Sequence, residues 1–236
     1  MNNDELQATG ASRTSDEQRL KTAAMAMTSN IKLHAVRNRK KHPVNTVDLE
    51  FAKKMIEDSP ATARMVCEHT IDMYGPPHEA VSSMLIWYDN GPWKRTIVYH
   101  EEVPHDFPEP HIDVLEQYID YHVPADQVGI IALIDGSIVI DRTRGEVAVH
   151  CDNEGANILS LNMMHEVVTG KRTPEEAREF IAKEISKYLL GHPAPYAEQF
   201  QFELPEGVQW DTDETTVVDV AVNEAIETMK GKLGLQ

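Results

Sequence analysis

The segment Asp89-Asn90-Gly91-Pro92 lies between Met84-Leu85-Ile86-Trp87-Tyr88 and residues 93–99, and it constrains this chain more than any other stretch. Asn-Gly supplies the positive φ angles of a tight turn, and both flanking runs are aromatic or β-branched, so the chain must double back as a hairpin. Alternation after the turn sets Arg95, Ile97 and Tyr99 on one face and Lys94, Thr96 and Val98 on the other. A second hairpin is expected from residues 129–134, the turn Asp135-Gly136 and residues 137–141, with a further run over residues 146–150. These connections are too short for parallel crossovers. The expectation is an antiparallel sheet of about five strands.

Helical patterns flank these runs. Ser15-Asp16-Glu17-Gln18 reads as a capping box, followed by Leu20, Ala24, Met27 and Ile31 at helical spacing. Asn45 or Thr46 can cap a second helix through Val47, Phe51 and Met55. Ser59-Pro60 opens a third, which Gly75-Pro76-Pro77 stops. After the strands, Asp152 or Asn153 caps a helix carrying Ile158, Leu161, His165 and Val168. Thr173-Pro174-Glu175-Glu176 is a capping box for the next, through Ala177, Phe180, Ile181, Ile185 and Tyr188. A short strand over residues 200–204 and a last helix through Val218, Ala221, Ala225 and Met229 complete the reading. Helices, then strands, then helices predict an α+β fold. Its expected parts are a disordered tail over residues 1–14, a helical segment over 15–75, an α+β core over 76–204 and a helical extension over 205–236.

Charge narrows the possible partners. The net charge is −17, but residues 1–42 carry +4 and the remainder −21. So acidic a body repels nucleic acid and anionic membranes. The basic run 37–41 is expected to complement its own helix end. There is no apolar run of membrane-spanning length and no signal-peptide pattern, which predicts a soluble, cytoplasmic protein. With only Cys67 and Cys151, a disulfide scaffold or thiolate cluster is not expected. Glycine-rich nucleotide loops, a GxSxG elbow and cysteine/histidine fingers are absent.

The stretch YHEEVPHDFPEPHIDVLEQY, residues 99–118, holds three histidines and six carboxylates, inside a span from Thr96 to Asp141 that has no lysine or arginine. Imidazole and carboxylate together suit a divalent metal such as zinc, iron or manganese. Here His100, His105 and His111 would be the ligands, joined by Glu101, Glu102, Asp106 or Asp113, with Glu101 or Glu102 the base of a metal-dependent enzyme such as a hydrolase. The spacing departs from the HExxH pattern, and Pro104, Pro108 and Pro110 favour an extended, kinked connection instead. Residues 111–122 fit either period, with strand slightly favoured, and only a helix would bring His111 near His122. Cys151, where a strand meets a helix N-terminus, is a candidate reactive thiol, although adjacent His150 would point to the opposite face.

Three functional expectations follow. The leading one is a non-catalytic binding or assembly protein with no cofactor, contacting a protein partner or a second copy through Trp87, Trp93 and Arg95. The alternative is the metal-dependent enzyme. A third is a regulatory subunit in which His100, His105, His111 and His122 respond to acidity.

Overall fold

In a computed structural model of the chain, the residues described are 17, 20, 21, 23–25, 45–213, 223–228 and 232. Helix α1, Leu49–Met55, starts at Asp48, whose carboxylate accepts from the backbone of Glu50 and Phe51. Helix α2, Ala61–Tyr74, buries Ala63, Val66, Cys67, Thr70 and Ile71 along one side, and Gly75 ends it at a φ of 81°. Its N-cap, Pro60, makes no side-chain cap bond.

Six strands follow: β1 Glu79–Val81, β2 Met84–Asn90, β3 Trp93–His105, β4 His111–Asp120, β5 Ile138–Asp141 and β6 Glu146–Cys151. They form one sheet in the order β1-β2-β3-β4-β6-β5, with every pairing antiparallel. The Asn-Gly hairpin is present, with Asn90 opposite Trp93 and Gly91 at a φ of 66°. The α+β class is as expected, with six strands in place of five.

Two differences lie inside the sheet. Residues 129–134 are not a strand: Val128–Ile131 form the short helix α3, after which a turn leads to Asp135. Ile131 and Ile134 are fully buried while Val128 and Leu133 are exposed, which is a helical three-residue repeat. Sequence alone could not separate this repeat from a continuous apolar run. Residues 111–120 pair with β3 on one edge and with β6 on the other, and β6 takes β5 on its far edge. Residues 200–204 likewise form no strand.

Helices α4 (Glu154–Val168), α5 (Pro174–Leu189) and α6 (Pro195–Glu198) follow the strands. Asn153 caps α4, and the Thr173/Glu176 capping box on α5 is complete. Helix α2 packs on Leu85, Trp87 and Val98, and α4 on the β4–β6 side of the same sheet face. Across that face runs a cross-strand row, Trp87, Thr96, Gln117, Val149 and Ile138. Its polar members are bonded: Asn157 of α4 donates to the Gln117 side-chain oxygen at 3.0 Å, and Asn90 donates to Thr96 at 3.0 Å. They form a polar seam between two apolar clusters.

The expected first helix is represented by residues 17, 20, 21 and 23–25, all helical, and the last by residues 223–228. The basic run 37–41 lies outside the described residues. Among the described residues, no helix is long and apolar enough to cross a membrane.

Candidate metal centre

One irregularity in the sheet builds the site. Strands β3 and β4 pair Val98 with Leu115 and then Val103 with Asp113, so residues 99–102 stand against Val114 alone. Such a bulge bends the strand and re-aims its side chains. Beyond it pairing resumes, and His105 lies directly across from His111. Directly paired residues share a face, as do residues two apart on a strand, so His105, His111 and Asp113 converge. Among the described residues these three form the one group whose donor atoms lie within 4.8 Å of one another and could hold a metal ion. The two imidazole centroids are 4.7 Å apart.

Each donor is oriented by a second group. His111 Nδ1 is 2.8 Å from the Glu109 carbonyl oxygen, which can only accept, so Nδ1 carries hydrogen and Nε2 faces Asp113 Oδ1 at 3.0 Å. Ser137 donates to Asp113 Oδ2 at 2.5 Å. His105 Nδ1 lies 3.4 Å from Asp113 Oδ2, and its Nε2 lies 3.8 Å from Asp135 Oδ1. Asp135 is fixed in turn by the Ser137 backbone, which donates to it at 2.9 Å. Arg178 of α5 donates to the Ile134 carbonyl at 2.7 Å and lies over the Phe107 ring at 3.6 Å, tying α5 to both loops of the site.

The electrostatics follow from burial among acids. Burial alone would raise Asp113, but bonds from His105, His111 and Ser137 hold it well below the usual carboxylate range. Burial opposes a charged His111, yet Cys151, Asp113 and Asp152 outweigh it and hold that imidazole well above its ordinary value. Burial, with the charge of Asp152, pushes Glu109 up to about 7. Asp135 and Asp152 are also raised, chiefly by burial. Two carboxylate oxygens in this region, Glu109 Oε2 and Asp152 Oδ2, are buried without a hydrogen-bond partner. Beside the cluster is a cavity of about 10 Å³, lined by His111, Asp135, His150 and Cys151 and by the apolar Phe107 and Leu159. That is room for about one water molecule.

The other candidates lie elsewhere. His100 Nδ1 is 2.8 Å from the Ser82 carbonyl, outside the cluster, and Glu101 and His122 are exposed. Glu102 accepts from the backbone N–H groups of Thr62 and Ala63 at 2.8 and 3.0 Å, supplying α2 with the cap that Pro60 cannot. Trp87 and Trp93 are each 1% exposed and belong to the core. Arg95 stacks on Tyr118 at 3.7 Å and pairs with Glu146 at 3.0 Å. Cys151 is buried and unbridged, and burial pushes its thiol up to about 12. Neighbouring His150 points away from it to Glu116, at 2.8 Å, as strand alternation requires.

Sequence reasoning missed Asp135 and Ser137 as parts of the site and left Asp113 as one of four carboxylates that could join the histidines. The signal for Asp113 was present: His111-Ile112-Asp113 on a strand aims both polar side chains the same way. No known protein family, curated protein or solved structure matches this chain.

Proposed function

We propose that this chain is a metal-binding protein that holds one divalent transition-metal ion between His105, His111 and Asp113. One observation carries the reading: the three donors converge, and two of them are hydrogen-bonded to a further oxygen. These are the Glu109 carbonyl for His111 and the Ser137 hydroxyl for Asp113, while Asp135 stands 3.8 Å from His105. Ligating imidazoles almost always give their outer N–H to a carbonyl or carboxylate, which fixes the tautomer and leaves a lone pair for the metal. Ligands on one zinc ion stand up to about 4 Å apart, so the 4.8 Å limit of this group closes with small side-chain rotations. Two imidazoles and a carboxylate suit zinc, iron or manganese. The cation-free span around the site leaves its acids without lysine or arginine from their own segment.

Burial of Trp87 and Trp93 favours this reading over assembly through the hairpin, which needs those rings at the surface. The test is elemental analysis of the full chain, purified without a histidine tag and dialysed against micromolar zinc. One equivalent should be retained, lost in His111→Ala and Asp113→Asn and kept in His100→Ala. Absence of bound metal, or full retention in His111→Ala, would overturn the reading.

A further inference from the structure

We infer that Cys151 supplies a fourth ligand, closing the centre as a two-histidine, one-aspartate, one-thiolate site that clamps the sheet to α4. This rests on the metal site proposed above. Cys151 is the last residue of β6, directly opposite Leu115 of β4, and Asn153, the N-cap of α4, follows two residues later. The thiol and the His111 ring line the same water-sized cavity, with the sulfur outside the 4.8 Å group of the other three donors. That cavity gives the cysteine side chain room to turn toward the ion. The thiol forms no disulfide and lies 3.7 Å from Asp152 Oδ1.

Charge supplies the driving force. A divalent ion with two neutral imidazoles and one carboxylate keeps a net charge of +1 in a buried place, which is costly. A thiolate brings the centre to neutrality. When the ion binds, the S–H bond breaks, a metal–sulfur bond forms and the proton leaves to buffer, with no change of oxidation state. Asp152, 1% exposed with one oxygen unpartnered, stands beside the sulfur. Four protein ligands leave no open position, the arrangement of structural sites. A thiolate also selects zinc or cobalt over manganese. The ion would join the end of β3 (His105), the start of β4 (His111 and Asp113) and the β6–α4 junction (Cys151).

The test is a cobalt(II) titration of the full apo chain without oxygen, read by absorption. The expected result is one equivalent bound, with an intense near-ultraviolet thiolate-to-cobalt band and strong visible bands of a tetrahedral ion. The band should survive in Cys67→Ser and vanish in Cys151→Ser. If Cys151→Ser fails to fold, a band surviving in Cys67→Ser still assigns the ligand, since the chain has two cysteines. One equivalent bound without the band would overturn the fourth ligand and leave the three-donor site standing. A band retained in Cys151→Ser would also overturn it, and no binding would overturn both.

Discussion

Removing one hydroxyl tests whether the donors are preorganised for a metal. Ser137 donates at 2.5 Å to Asp113 Oδ2, and the same oxygen lies 3.4 Å from His105 Nδ1. Ser137→Ala deletes that bond and the 3.2 Å contact of the same hydroxyl with His105 Nδ1, and frees the carboxylate to rotate. A hydrogen bond to a charged acceptor contributes about 1.5–3 kcal/mol. Loss of an outer group that orients a ligand typically weakens metal binding about 10–100-fold, or about 1.4–2.8 kcal/mol at 1.4 kcal/mol per decade. The two figures agree, so zinc affinity should fall by one to two decades while stoichiometry stays at one. Competition with a chromophoric chelator measures the affinity. The melting temperature of the apo protein separates this from general damage, because Asp113 keeps its contact with His111 and the fold should lose little. Affinity unchanged within twofold would refute the claim that Ser137 aims a ligand, and with it the argument from oriented donors.

Other predictions concern the frame around the site. Glu102→Ala should destabilise by about 0.5–2 kcal/mol through the lost α2 cap, leaving metal affinity unchanged; chemical denaturation and chelator competition read the two effects separately. Glu166, 3% exposed, accepts from Lys171, Arg172 and Tyr196, and these bonds hold it below its usual value against the opposing effect of burial. Its cations are 60% and 27% exposed and can return to water, so Glu166→Gln should cost about 1–3 kcal/mol. Because the folded-state value is depressed, this stabilisation is present above the ordinary glutamate range and lost as pH falls through the folded value. Melting curves of the two proteins should therefore converge in acid, and a constant gap down to the lowest pH would contradict the assignment. Gly145 has a φ of +61°, and a Cβ there would stand 1.8 Å from the Gln209 carbonyl oxygen. Gly145→Ala should cost about 2–4 kcal/mol and expose residues 205–213 to limited proteolysis; wild-type resistance there would refute that contact.

The parts of the fold that sequence revealed are those set by local chemistry. Asn90-Gly91 fixes a turn whatever surrounds it, and the Thr173/Glu176 box defines the start of α5 within four residues. Residues 128–134 misled because a short apolar run carries no period of its own, and burial of Ile131 and Ile134 is decided by the rest of the core. The site was half legible. Composition marked the histidine and carboxylate stretch, but testing its spacing as a helix hid the relation that matters. His105 and His111 meet because a bulge and a β3–β4 register place them opposite, and neither can be read from a count of intervening residues. Asp135 and Ser137 arrive from more than twenty residues away. Glu102 looked like a base beside a histidine, yet its partner is a helix end some forty residues earlier.

The most direct measurement is anomalous diffraction at the zinc edge from crystals of the full chain grown with zinc. The account predicts one strong peak about 2.0–2.2 Å from His105 Nδ1, His111 Nε2 and an Asp113 carboxylate oxygen. A map with no peak there, and His111 Nε2 still bonded to Asp113 by a shared proton, would contradict it.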